Sequence, residues 1–218
     1  MNTIRLDHAS QLASFTKEDL AGLAASKDGF LHIALPGGRS AAYLVQGLLQ
    51  LHDQILRRVR LYLVDERLEG ERNLDTLLEA GLGQAIAAKR MSMDQIRIPV
   101  VGERLSDTGF DRVYLGVGED GHIASLFPGS WPDARIDQVI LVEDSPKQPK
   151  RRATLSYSGL SDLTKRARIH LLFLGESKGE ALKRFGKGVE TAETLPCAFF
   201  LEYRNQTTII TDLKEETT

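Results

Sequence analysis

Short apolar segments of strand length alternate along this chain with segments that have helical spacing, and this alternation constrains the fold most. The clearest strand segments are residues 30–35, 60–64, 113–115 and 169–174. Helical patterns lie between them, such as the leucines that follow Asn73, a residue that we expect to cap that helix. Strands that alternate with helices predict an α/β fold with a mostly parallel sheet, flanked by helices in a Rossmann-like three-layer sandwich.

Length and charge narrow the choice of protein class. At 218 residues and 42% hydrophobic composition, the chain can form one full core, so we expect a single domain over residues 1–218. The 28 basic and 30 acidic side chains leave a formal charge of -2, which argues against a nucleic-acid partner. The single cysteine, Cys197, cannot form an internal disulfide. No signal core or membrane-length apolar run is present, so we expect a cytoplasmic protein without a membrane partner.

Three glycines within six residues follow one of the predicted strands directly, at Gly116, Gly118 and Gly121. They let the backbone adopt positive φ and approach a ligand closely. Asp120 and His122 lie in the same segment and supply a charge and a proton acceptor that is usable near neutral pH. The pattern predicts a strand that runs into a loop with chemical function.

Two other interpretations of this loop exist. The glycine spacing matches the dinucleotide fingerprint, but that motif needs a long helix directly after the third glycine. Pro128 and Gly129 limit any helix here to about two turns. Alternatively, His122 is a structural histidine whose hydrogen bond to Asp120 is its only role. The glycine-rich strand exit favours the functional interpretation.

A second glycine turn lies at residues 36–40, between a predicted strand and a predicted helix. Such a turn leaves backbone N–H groups free at the positive end of the helix, where a phosphate can bind. Arg39 and Ser40 add side-chain donors. The Gly-Lys-Ser/Thr ending of a Walker loop is absent, and an ordinary tight turn remains the alternative.

Charged residues mark three further predicted strand ends, at residues 65–67, 151–152 and 177–178. Lys178 falls in the first turn of a predicted helix, where a cation opposes the helix dipole unless an anion is bound. If the strands are parallel, all five ends share one edge of the sheet. Cations and N–H donors would then face an acid–histidine pair, which suits a phosphorylated small molecule on which a proton is moved or a water activated. Residues 131–150 are interpreted as one strand and an exposed loop.

These segments together resemble the 6-phosphogluconolactonases. The resemblance is carried by Gly-Glu-Asp-Gly-His-Ile-Ala-Ser-Leu-Phe-Pro-Gly at residues 118–129, with the segments at residues 65–67, 73, 152–155 and 175–178. It extends from about residue 30 to about residue 196. The glucosamine-6-phosphate deaminases of the same superfamily share Asp-Gly-His but carry a catalytic glutamate directly before the proline. Phe127 occupies that position here, and Arg67 stands where the deaminases tend to have an aromatic residue.

The resemblance implies hydrolysis of 6-phosphogluconolactone to 6-phosphogluconate in the oxidative pentose phosphate pathway, without a metal or organic cofactor. It assigns His122 as the general base, Asp120 as the group that orients or tunes the imidazole, and Arg67 as a donor to the developing oxyanion or to the carboxyl side of the substrate. The resemblance also implies a group of residues that binds the phosphate, which are Gly37, Gly38, Arg39, Ser40, Arg152 and Lys178. It implies two further residues of the substrate site, Asp65 and Gly118.

The chain departs from the family pattern in two places. The usual Ser-Gly-Gly-Ser-Thr-Pro loop reads Pro-Gly-Gly-Arg-Ser-Ala at residues 36–41, so Arg39 replaces a hydroxyl. The segment between Arg67 and Asn73 is short and lacks the usual Val-Pro and His, which leaves the role of Asn73 open.

Three alternatives to a lactonase stay open. One is a deaminase or isomerase for a phosphorylated amino sugar, which Phe127 disfavours. Another is a catalytically silent phosphosugar sensor, which the intact acid–histidine pair disfavours. The last is a metallohydrolase that uses Asp65, Glu66, Asp120 and His122, disfavoured because no His-x-His or His-Glu-x-x-His spacing occurs. The expected partner is a phosphorylated sugar lactone, and we expect a monomer or weak homodimer.

Overall fold

In the larger of the two sheets that the described residues form, every neighbouring pair of strands is parallel. The structure, a computed structural model, describes residues 1–129 and 137–214. The strands in this part of the chain are, in order, β1 (Asn2–Arg5), β2 (Leu31–Leu35), β3 (Val59–Leu63), β4 (Asp65–Arg67), β5 (Ile96–Arg97), β6 (Arg112–Gly116), β7 (Val139–Val142), β8 (Arg152–Leu155), β9 (Arg168–Phe173) and β10 (Thr207–Thr211). The larger sheet has the order β1-β10-β9-β6-β2-β3-β5. The mostly parallel sheet expected from the sequence is therefore confirmed.

Helices and short helical turns connect these strands. The α-helices of the described residues are α1 (Leu12–Ser26), α2 (Arg39–Leu49), α3 (Asp53–Leu56), α4 (Asn73–Leu77), α5 (Gly83–Ala87), α6 (Tyr157–Thr164) and α7 (Gly179–Lys187). Short 3-10 turns cover Ala9–Gln11, Met93–Gln95, Glu176–Lys178 and Pro196–Leu201, and a π-helical turn covers Leu78–Leu82. In the part of the chain that the structure describes, no helix is both long and apolar enough to cross a membrane.

Both faces of the parallel sheet are buried, which produces three layers. Successive residues of β6 point to opposite faces, so Val113 and Leu115 enter one apolar cluster and Tyr114 enters the other. The first cluster includes Leu160 of α6 and residues of α7. The second includes Leu44 of α2 and residues of α1. Burial on both faces explains why these strands read as continuous apolar runs in the sequence, and it confirms the α/β sandwich.

The second sheet is small and antiparallel, with the order β4-β8-β7. Asp65–Arg67 is therefore not a loop after β3 but the strand β4, which pairs with β8. Arg152 begins β8 and pairs with Arg67, so it does not follow a strand of the parallel sheet. The expected common edge of five parallel strand ends thus holds for four of them. The fifth segment reaches the same region from the antiparallel sheet. Of the segment read as strand and loop, residues 137–150 contain β7, and residues 131–136 lie outside the described residues.

A buried carboxylate joins α1 to the sheet. Asp19 accepts hydrogen bonds from Arg112 Nε at 2.8 Å, from the Tyr114 hydroxyl at 2.5 Å and from His170 Nε2 at 3.2 Å. Burial by itself raises the pKa of Asp19, but the hydrogen bond and charge of His170, with the charge of Arg112, lower it to about 2. This carboxylate stays ionised through the range where most proteins are folded.

Candidate active site

A cleft with two connected lobes opens where β2, β3, β6 and β9 end. The large lobe has a volume of about 460 Å³ and the small lobe about 200 Å³. The two lobes share five lining residues, which are Gly37, Gly38, Gly116, His122 and Lys147. Ligands of parallel α/β sheets bind beyond the carboxyl ends of the strands, and this cleft has that position.

The acid–histidine pair lies at the junction of the lobes, in the loop after β6. Asp120 Oδ1 is hydrogen-bonded to Nδ1 of His122 and also accepts the backbone N–H of His122 at 3.2 Å. Nδ1 therefore carries the proton, and Nε2 remains an acceptor on a ring that lines both lobes. Burial alone would raise the pKa of Asp120, but the hydrogen bond and charge of His122 outweigh it and hold that pKa below its ordinary value. The pair has the arrangement of a general base and its orienting carboxylate.

Two glycines allow this loop to close around the imidazole. A Cβ added at Gly118 would lie 1.9 Å from Nδ1 of His122. Gly121 has a φ of 84°, and a Cβ there would lie 2.1 Å from Cδ1 of Leu195. The close approach that the sequence predicted is thus made partly by the chain's own histidine.

The N-terminus of α2 opens into the large lobe. Gly38 precedes the helix with a φ of 78°, and no side chain in the described part of the chain caps it. A Cβ at Gly38 would meet no atom of the described residues within 4 Å, so the space beside this glycine is open. Arg39 and Ser40, which the sequence analysis assigned to the phosphate site, line the same lobe. Helix dipole, free N–H groups and a guanidinium together suit an anion.

Two lysines add positive charge to the large lobe. Lys178 directly precedes α7, and burial, with the charge of Lys147, lowers its pKa. Lys147 comes from the loop between β7 and β8 and lies 3.7 Å from Glu119 Oε1. Sequence reasoning assigned Lys147 to an exposed loop and missed it, because nothing near it in sequence marks a site. A bound anion would relieve the mutual repulsion of these cations.

The small lobe holds the two arginines of the antiparallel sheet. Arg67 donates from Nη1 to the Glu71 carbonyl at 3.2 Å, while its buried Nε has no hydrogen-bond partner among the described residues. Arg152 donates to three backbone carbonyls of the β7–β8 loop, Lys147, Gln148 and Pro149, at 2.9–3.1 Å. The structure therefore places Arg152 beside Arg67, whereas the sequence grouped it with Lys178. Its guanidinium holds the loop that carries Lys147.

Asp65 forms the buried wall of the small lobe. Its Oδ2 accepts from the Ser125 hydroxyl at 2.6 Å, and its Oδ1 accepts from Asn73 Nδ2 at 3.2 Å. Burial raises the pKa of Asp65, although the Ser125 hydrogen bond and the charge of Arg152 act in the opposite direction. Asp65 thus fixes neighbouring side chains in the small lobe.

Glu66 has a structural role at the start of α4. Its Oε1 accepts the backbone N–H groups of Arg67 and Asn73, and its Oε2 accepts that of Leu74. Both carboxylate oxygens are therefore committed to backbone N–H groups. In residues 1–129 and 137–214, no three His, Cys, Asp or Glu side chains form a group suited to a metal ion.

Phe127 packs against the catalytic candidate. Its ring centroid lies 4.8 Å from that of His122, and the Arg152 guanidinium lies 5.8 Å from its centroid. An apolar ring at this position supplies contact area but no titratable group beside the imidazole.

Comparison with known proteins agrees with this geometry. A family model described as glucosamine-6-phosphate isomerases/6-phosphogluconolactonase matches residues 6–210. The human GDH/6PGL endoplasmic bifunctional protein is 31% identical over 185 residues, which are 75% of this chain and 23% of that protein. The chain thus spans about a quarter of this relative.

Shorter relatives match over most of their length. A 6-phosphogluconolactonase of Borreliella burgdorferi is 27% identical over 217 residues, or 91% of this chain and 90% of that protein. The crystal structure of a 6-phosphogluconolactonase from Thermotoga maritima superimposes with a TM-score of 0.73 at 20% identity, covering 96% of each chain, and so shares the fold. The protein described here belongs to the glucosamine-6-phosphate isomerase/6-phosphogluconolactonase family.

Proposed function

We propose that this protein hydrolyses 6-phosphogluconolactone to 6-phosphogluconate, as a step of the oxidative pentose phosphate pathway. The observation that carries the proposal is the position of His122, whose Nδ1 is held by Asp120 at the junction of a cation-rich lobe and an arginine-lined lobe. A phosphorylated lactone has an anionic end and a reactive carbonyl, which match the two lobes in charge and in chemistry.

The phosphate binds in the large lobe. Arg39, Lys147, Lys178 and the N-terminus of α2 provide charge and N–H donors there. The lactone carbonyl then lies near His122, toward the small lobe. In this orientation Arg152 lies outside the phosphate site, and its role is to stabilise the β7–β8 loop through hydrogen bonds to the backbone carbonyls of that loop.

Hydrolysis follows from general base catalysis. Nε2 of His122 removes a proton from water as the water oxygen attacks the lactone carbonyl carbon, while Asp120 stabilises the imidazolium that forms. When the tetrahedral intermediate collapses, the bond from the carbonyl carbon to the ring oxygen breaks and the imidazolium returns its proton to that oxygen. General base catalysis of this kind contributes about 10²–10⁴-fold.

Arg67 stabilises the negative charge that develops on the carbonyl oxygen. Its Nε–H is buried and has no acceptor in the described part of the chain. Such a donor is costly to leave unpaired, so an oxyanion that accepts from it gains more than an average hydrogen bond provides. The guanidinium also stays charged throughout the reaction.

The direct test follows the decay of freshly generated 6-phosphogluconolactone above its spontaneous rate, with a strong chelator present. We expect wild type to accelerate the decay and His122→Ala to lose most of that acceleration. His52→Ala is the matched control and should behave as wild type, because it replaces an exposed histidine that is distant in sequence from the loop carrying His122. A wild type without acceleration refutes the proposal, and ammonia release from glucosamine 6-phosphate would assign the deaminase activity instead.

A further inference from the structure

Asn73, whose role the sequence left open, is held at several points in the wall of the small lobe. Its backbone N–H donates to Glu66 Oε1 at 2.6 Å. Its side-chain Nδ2 donates to the Asp65 carbonyl at 2.9 Å and to Asp65 Oδ1 at 3.2 Å. The residue is 3% exposed, although it lines the small lobe. Asn73 is therefore a rigid part of the cleft and not the N-cap that its position suggested, since Arg72 occupies the N-cap position of α4.

The orientation of the Asn73 amide is determined by its neighbours. Both groups that Nδ2 contacts on Asp65 are acceptors, a carbonyl and a carboxylate, so exchanging the nitrogen and oxygen would place acceptor against acceptor. The oxygen Oδ1 consequently points away from Asp65. Within residues 1–129 and 137–214, the hydrogen bonds of Asn73 are those given above, and none of them ends on Oδ1.

Gly37 shows where the Asn73 amide lies in the cleft. A Cβ added at Gly37 would lie 2.2 Å from Cγ and Oδ1 of Asn73 and 2.5 Å from its Nδ2, so the amide packs against the backbone of this turn. Asn73 lines the small lobe and Gly37 lines both lobes, so the amide lies at the boundary between the phosphate-binding turn and the small lobe. The cleft thus contains a fixed, uncharged acceptor between the two ends of a bound substrate.

We propose that Oδ1 of Asn73 accepts a hydrogen bond from a ring hydroxyl of the lactone and so selects substrates that carry that hydroxyl. The inference rests on the proposed function. The amide oxygen has no proton to donate, so it does not favour phosphate or carboxylate oxygens. It matches the O–H groups that lie between the phosphate and the carbonyl on a sugar lactone, because these groups donate. Because Asn73 cannot turn away, a substrate without the hydroxyl leaves a buried acceptor unpaired, which is the basis of strong discrimination.

The test pairs changes in the enzyme with changes in the substrate. The rate constant kcat/KM is measured for 6-phosphogluconolactone and for its 2-deoxy, 3-deoxy and 4-deoxy analogues, with wild type and with Asn73→Ala. For wild type we expect the kcat/KM of one analogue to be roughly 10-fold lower than that of the parent lactone, which is the effect of one buried hydrogen bond. For Asn73→Ala, that analogue and the parent should react at the same rate, because the acceptor is gone.

A merely structural role for Asn73 gives a different result. Loss of the Asp65 contacts would lower the activity toward all four lactones by one common factor and leave the ratios between them unchanged, which would overturn the proposal. Asn73→Ser provides a second variant with a smaller side chain if Asn73→Ala does not fold. The proposal is also overturned if, with wild type, no deoxy analogue has a kcat/KM more than about 2-fold below that of the parent lactone, since the loss of a single hydrogen bond should have a larger effect. Failure of wild type on the parent lactone would instead refute the proposed function.

Discussion

Replacing Asp120 by Asn tests whether the carboxylate beside His122 contributes its charge or only its shape. The substitution keeps the size of the side chain and removes the negative charge from the group that holds Nδ1. Because the pKa of Asp120 is held below its ordinary value, the wild-type group is ionised at every pH at which the protein can be assayed. The comparison is therefore between a full negative charge and none.

The size of the effect follows from the two hydrogen bonds that Asp120 accepts. A hydrogen bond to a charged group contributes about 1.5–3 kcal/mol. The bond to the imidazole strengthens as His122 takes a proton, so most of this energy is lost from the transition state and little from the bound substrate. At about 1.4 kcal/mol for each factor of ten, kcat should fall roughly 10- to 150-fold, with KM nearly unchanged.

The assay is the initial rate of lactone decay at saturating substrate, corrected for spontaneous hydrolysis. Asp107→Asn is the matched control, because Asp107 is an exposed carboxylate paired only with Arg104 in the described part of the chain, and it should retain wild-type kcat. Thermal unfolding of both variants checks that they are folded. A folded Asp120→Asn enzyme with kcat within about 2-fold of wild type would refute a catalytic role for the carboxylate, since even a weak charged hydrogen bond exceeds this.

Three further changes have definite expected outcomes. Gly118→Ala would place a methyl group 1.9 Å from Nδ1 of His122, so kcat should fall at least as much as in Asp120→Asn. Gly22→Ala should keep full activity in the same assay, because a Cβ there meets nothing within 4 Å among the described residues. Lys147→Ala should raise KM by roughly 10-fold with less change in kcat, and added salt should reduce the difference from wild type if the lysine acts by charge. Asp19 has a pKa of about 2, below its ordinary value of 3.8, so its stabilising contribution is present above pH 4 and disappears as the pH falls toward 2. In urea unfolding, the free energy of unfolding of wild type should therefore fall by about 2 kcal/mol more over this pH range than that of Asp19→Asn. Parallel pH profiles of the two free energies would contradict this role of Asp19.

The sequence predicted those features that depend on neighbouring residues. Apolar runs identified the strands of the parallel sheet, and glycines at their ends identified the loops of the cleft. Asp120 and His122 are two positions apart, so their contact needed no knowledge of the fold. The fold class and the family are confirmed, whereas the roles of the individual site residues remain predictions.

Features set by distant contacts were not visible in the sequence. Asp65–Arg67 consists of three charged residues, which lack strand propensity, yet it forms β4 because β8 pairs with it. Without that pairing, the position of Arg152 in the small lobe could not be inferred. Lys147 reaches the cleft on a loop whose carbonyls the Arg152 guanidinium holds. Asn73 resembled a helix cap locally, and only its contact with Asp65 shows another role.

The order of strands also affects how the chain folds during its synthesis. Among the described strands, β1 pairs only with β10, where Asn2 pairs with Thr208, and β10 also pairs with β9. During translation the first strand therefore has no neighbour until nearly all of the described chain has left the ribosome. Its partner β10 then inserts between β9 and β1, which was made long before, and contacts of such sequence separation form slowly. One edge of the parallel sheet therefore stays open until late in the synthesis of the described residues, first the edge of β6 until β9 is made and then the edge of β9 until β10 is made. An open strand edge can pair with another chain, so the nascent chain most needs protection by chaperones in this period.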